Sequence, residues 1–125
     1  MAKIEKFEEL DCWKAARELV NLVYDLCEKD ILSKDWDTVR QIKRASLSSM
    51  NNIAEGFGRF NVADFLKFLD YSQSSAHEIK SMLYVLEDLE YLPKDQILLL
   101  HEKTDKTISL ILGFIKYLRN KQNSK

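Results

Sequence analysis

At 125 residues the chain has room for one domain with one core. With 46% apolar and 31% charged residues but only 3 Gly and 1 Pro, it has few residues to punctuate many short strands, which favours a few long helices. A formal net charge of -1 and a sequence pI near 6.1 give no whole-molecule attraction for phosphate backbones or anionic lipid, so any nucleic-acid site must be local.

The first apolar repeat, Trp13, Ala16, Val20, Val23 and Cys27, steps by three and four and predicts a helix over 11–32 that Asp11 can cap. A second stripe, Val39, Ile42, Ser46, Met50 and Ile53, comes after Asp35 and predicts a helix over 36–55. Gly56 should stop it, with Gly56 and Gly58 bracketing a turn in the left-handed conformation and Asn61 capping the next helix. That third helix, 62–90, carries Phe65, Leu69, Ser72, Ala76, Ile79, Leu83 and Leu86 at heptad spacing and ends before Pro93. A fourth is expected over 94–120 with Ile97, Thr104, Ile108, Ile111, Ile115 and Leu118 inward, and then a polar, fraying tail at 121–125. Short links make neighbouring helices antiparallel, so the whole of 1–125 reads as one all-α, up-down-up-down four-helix bundle.

On the fourth helix Leu110, Leu112, Phe114 and Tyr117 are apolar outside the inward stripe. A helix apolar on several sides is buried on several sides, which makes these residues a candidate oligomer interface.

The chemistry of sites is thin. Cys12 and Cys27 lie far apart without a zinc spacing, and no signal peptide precedes them, so the expected compartment is the cytoplasm. Leu110 to Ile115 is the most apolar stretch, far short of the roughly 20 residues that span a bilayer. Neither His77 nor His101 has a carboxylate three residues earlier, so the Glu-x-x-His pairs of di-metal bundles are missing, and no cofactor is expected. Ser74 and His77 share a helix face, yet no strained turn exposes a nucleophile; catalysis is not expected. The Gly56-Phe57-Gly58-Arg59 turn before the third helix resembles a phosphate cradle, but lacks the strand and lysine of a P-loop, and capping explains both glycines.

The second helix is the most unusual. Gln41, Ser48, Asn52 and Glu55 draw a polar stripe beside the apolar one, for which the third helix offers Ser75 and Glu78, with Arg44 to Glu78 as a bridge. Arg40, Lys43, Arg44 and Arg59 stand against Glu55 alone in residues 38–61, which makes a basic face available for RNA or DNA if they point outward.

The run Gln41-Ile42-Lys43-Arg44-Ala45, Ser48, Asn52-Ile53-Ala54-Glu55-Gly56 and Gly58-Arg59 resembles the signature of four-helix bundle proteins encoded within 23S ribosomal RNA intervening sequences. Phe7, Leu10, Trp13 and Ala16 match the family's N-terminal motif, and Phe65, Leu69, Ser75 and Glu78 its third helix. The resemblance implies a barrel-like homopentamer without established activity. It also implies kinship with the accessory protein of diversity-generating retroelements, a pentamer that binds nucleic acid and its reverse transcriptase through a basic surface. This chain departs from that protein in its acidic pI, and from the commoner SIPANIAEG form by reading Ser48-Ser49-Met50-Asn51-Asn52. The function expected is a non-enzymatic pentameric platform for nucleic acid or a ribonucleoprotein. The alternative is a scaffold that binds only protein; five copies of a modest basic patch would favour the former through avidity.

Overall fold

The structure, a computed structural model, describes residues 4–123. Its four long helices are α1 (Asp11–Leu26), α2 (Trp36–Phe57), α3 (Val62–Asp88) and α4 (Lys94–Asn123), with short 3-10 turns at Phe7–Glu9 and Leu32–Lys34. Each helix packs on the one before and the one after, and α4 closes onto α1, which makes an all-α up-down-up-down bundle.

Two apolar clusters fill it. Around the α1–α2 and α3–α4 links, Leu19, Val23, Ile42, Ile79, Leu83, Leu86 and Leu100 interdigitate. Toward the chain ends, Leu10, Ala16, Ile53, Leu69, Ile111 and Ile115 do so. The central α3 stripe is fully buried, as its heptad spacing requires.

Local chemistry sets the helix starts. Asp35 caps α2 by accepting from the Thr38 amide at 3.1 Å, and Asn61 caps α3 by accepting from the Asp64 amide at 2.8 Å. At α1 the expectation fails: Leu10 occupies the cap position without a side-chain bond, and Asp11 is the first helical residue, where its charge suits the helix dipole.

The ends differ more. Helix α1 stops at Leu26 rather than 32, because Asp30 turns the backbone at φ 53° and carries Leu32 into the core. Helix α3 stops at Asp88: Glu90 takes φ 54° and the Tyr91 amide donates back to the Leu86 carbonyl at 2.9 Å, the Schellman pattern. Neither left-handed position is a glycine. Gly56 instead lies buried inside α2 with no left-handed φ, and α2 continues through Phe57 to Gly58. Its expected role as a stop is therefore wrong. A Cβ at Gly56 would come within 2.8 Å of both Phe65 Cδ1 and Phe68 Cβ, so the glycine is there to let α3 approach. Residues 121–123 prolong α4 past Asn120, and 124 and 125 lie outside the described residues.

Asp35 also ties the two links together, since the Tyr91 hydroxyl donates to its Oδ2 at 2.7 Å. Hydrogen bonds from Tyr91 and Thr38 hold the Asp35 carboxyl below its ordinary 3.8, and Asp35 in turn raises the Tyr91 phenol above 10.0. A lowered carboxyl stabilises the fold fully above its unfolded value and loses that contribution as pH falls through the folded one. The raised phenol contributes fully below its unfolded value and loses its share as pH rises through the folded one. Urea midpoints are accordingly expected to drop as the pH falls through and below the ordinary aspartate range, and to drop less in Tyr91→Phe, where the largest cause of the depression is gone.

Candidate functional site

A broad concavity lies at the end of the bundle where α1 begins and α4 ends. The approach to α1, the end of α2, the start of α3 and the second half of α4 leave a groove of about 660 Å³ between them. Leu10, Phe57, Phe65, Leu110, Phe114 and Tyr117 make its apolar lining. The aromatic rings are locked edge to face, Phe57 on Phe65 at 6.1 Å and Phe65 on Phe114 at 5.5 Å, with Tyr117 stacked on Phe114 at 6.0 Å. Three of the four residues expected to form an interface thus line one groove. Leu112 does not: two residues from Leu110, it lies on the other flank of α4, 43% exposed.

Gly113 sits in this groove, and sequence reasoning passed it over. A glycine inside a helix costs about 0.5–1 kcal/mol relative to alanine. Gly56 has an internal reason for that cost, the approach of Phe65 and Phe68. Gly113 has none: a Cβ there would meet nothing within 4 Å. What the missing side chain provides is open space above α4, framed by Leu110, Phe114 and Tyr117. A third glycine in so glycine-poor a chain, at mid-helix between apolar residues, was the available signal.

The rim is acidic. Glu9 and Asp11 border the groove, and neither forms an ion pair among the described residues.

The basic residues are dispersed and engaged. Arg40, Lys43 and Arg44 sit in the first half of α2, whereas Arg59 lies just past its far end; at about 1.5 Å per residue, ~25 Å of helix separates Arg40 from Phe57. Arg40 pairs with Asp37 at 3.4 Å, Arg44 with Glu78 at 3.5 Å and Arg59 with Glu55 at 2.7 Å. Arg59 also lies over the Phe68 ring at 4.6 Å, and Lys43 over Tyr24 at the same distance. All three ion pairs are substantially exposed, so each contributes little stability while cancelling local charge.

The polar stripe is a helix contact at its centre and a solvated edge at its ends. Ser48 and Ser75 hydroxyls meet at 2.8 Å, and the Asn52 amide donates to the Ser48 carbonyl at 2.8 Å. Behind them the buried Ser72 hydroxyl donates to the Ser49 carbonyl at 2.6 Å, a pairing not foreseen although both residues are small enough to let α2 and α3 close together. Gln41 and Glu55 are exposed.

The cysteines and histidines are held in structural contacts. Burial pushes the Cys12 thiol up to about 12 and that of Cys27 to about 11, which suppresses the nucleophilic thiolate. The His77 Nδ1 lies 2.8 Å from the Gln73 carbonyl rather than on Ser74. His101 accepts from Lys80 at 2.7 Å, and Lys80 also pairs with Asp105 at 3.0 Å. Among the described residues no group of three or more His, Cys, Asp and Glu could hold a metal ion, and no helix is long and apolar enough to cross a membrane.

Known proteins resemble this chain in sequence and in fold. A family model described as 23S rRNA-intervening sequence protein matches residues 8–113. A crystal structure of a protein of unknown function from the S23 ribosomal protein family of Bacteroides thetaiotaomicron VPI-5482 superposes with a TM-score of 0.76 at 24% identity, covering 84% of this chain and 95% of that one. No curated protein matches.

Proposed function

Because the chain belongs to the 23S rRNA-intervening sequence protein family, for which no enzymatic activity is indicated, we propose that it is a non-enzymatic platform whose working form is a homo-oligomer assembled through the α4 groove. The observation that carries this reading is Gly113: a helical glycine with no reason inside its own chain, lining an aromatic-walled groove. Apolar concavity of this kind is what subunit contacts fill. A pentamer is the assembly the family resemblance suggests, and a cytoplasmic setting accords with two free, buried cysteines. Light scattering of the full chain should give about five times the 14.7 kDa of one subunit; a mass of one subunit across micromolar concentrations would overturn the reading.

Nucleic-acid binding is the second reading, and the grouping of Arg40, Lys43 and Arg44 on one half of α2 is what favours it. Asp37, Glu78 and Glu55 beside Arg40, Arg44 and Arg59 weigh against it within one subunit, so it depends on repetition around the assembly. If it holds, affinity for a mixed RNA and DNA pool falls steeply with salt, and Ala at Arg40, Lys43, Arg44 and Arg59 flattens that slope. Binding to a protein partner that is indifferent to salt would instead mark a protein-only scaffold.

A further inference from the structure

A groove accounts for only one side of a contact, and a closed ring of identical subunits needs two different surfaces, because only a heterologous, head-to-tail interface generates odd-numbered rings. Helix α4 carries both. Residues spaced by seven lie on one flank: Lys103, Leu110 and Tyr117 face the α1 side, where Lys103 pairs with Glu18 at 3.5 Å. Asp105, Leu112 and Arg119 face the α3 side, where Asp105 pairs with Lys80. On that second flank Leu112 stands exposed, with Lys116 and Arg119 one and two turns further on. Neither cation forms an ion pair among the described residues, and neither do Glu9 and Asp11 at the groove rim.

Resting on the self-association proposed above, we infer that the ridge of Leu112, Lys116 and Arg119 on one subunit docks into the groove of the next, with Leu112 over Gly113 and the two cations against Glu9 and Asp11. Three features match. The ridge offers an aliphatic side chain where the groove has open space, unpaired cations where the rim has unpaired carboxylates, and a position on the opposite flank of the same helix, so that side-by-side repetition propagates the contact. An isologous α4–α4 pairing would instead leave Glu9 and Asp11 without the two ridge cations, and the ridge idle. Charge complementarity at a rim governs orientation and register more than bulk affinity.

The test is a charge-reversal cycle on the full chain, read by light scattering and analytical ultracentrifugation at low salt. Glu9→Lys with Asp11→Lys should dissociate the assembly, as should Lys116→Glu with Arg119→Glu, each raising the dissociation constant at least about tenfold. Mixing the two variants should restore association as mixed assemblies of alternating subunits, because the basic ridge of one meets the acidic groove of the other and the reverse contact is complementary as well, and the fourfold variant should regain wild-type mass. Leu112→Ala, which alters no charge and removes an exposed side chain, should also weaken assembly while leaving helix content unchanged. The inference is overturned if the ridge variants keep wild-type mass or the fourfold variant stays dissociated while wild type assembles. A wild type that never assembles would overturn the underlying self-association instead.

Discussion

Leu83→Ala is expected to lower the free energy of unfolding by about 2–5 kcal/mol, through lost transfer energy and the cavity left behind. Leu83 is fully buried in the middle of α3. Around it Leu19, Val23, Ile42, Ile79 and Leu86 come from three helices held by the bundle as a whole, so no single segment can relax into the vacancy. Two-state urea unfolding should show a lower midpoint with an unchanged slope. A midpoint within error of wild type would mean that α3 presents another stripe to the core.

The second large effect is expected at Gly56. Gly56→Leu should destabilise the bundle by about 3 kcal/mol, the upper end of ordinary overpacking, and lower the melting temperature by roughly 10 °C for a chain of this size. The Cβ alone would lie 2.8 Å from Phe68 Cβ, an atom fixed to the α3 backbone that no rotamer change can move aside. Phe65 Cδ1 is equally close and belongs to a ring held against Phe57 and Phe114. Any side chain at 56 must therefore push α2 from α3 at one end of the seam along which Ser48 meets Ser75 and Ser72 meets Ser49. The distinctive Asn52-Ile53-Ala54-Glu55-Gly56 segment acquires a physical meaning from this. Ile53 fills the core, Gly56 admits α3, and Glu55 holds Arg59 across the end of the helix.

Much of what acts over one or two helical turns was legible in the sequence, the cap of α1 being the exception. Asp35 and Asn61 announce their caps because a capping oxygen bonds an amide three residues on. The α3 heptads name their own buried face, and the facing polar stripes place Arg44 near Glu78 and Ser48 near Ser75. The cancellation of the basic face was also legible and was missed: Asp37 stands three residues before Arg40 and Glu55 four before Arg59, the spacings at which helical charges pair.

Features that depend on distant segments meeting outside a facing pair of regular stripes were not legible. The end of α1 hinges on Leu32 turning inward to a core that only the folded bundle supplies. Gly56 looks like a helix stop unless Phe65 and Phe68 are known to approach it. The groove is walled by Leu10, Phe57 and Phe65 as well as α4, three places in the chain that no periodicity connects. Grouping Leu112 with Leu110 by exposure alone merged two surfaces that the helix sets on opposite flanks.

Self-association through the α4 groove is tested most directly by the mass of the wild type beside Gly113→Leu, measured by light scattering at equal concentration, with circular dichroism to report helix content. A Cβ at 113 meets nothing within 4 Å, and the substitution replaces a poor helix former with a good one, so each subunit should keep its helices. An oligomeric wild type and a monomeric, fully helical variant are expected, the groove of the variant being filled by its own side chain. A variant that keeps an oligomeric wild-type mass would contradict the assembly, because the space above Gly113 would then serve no contact between subunits.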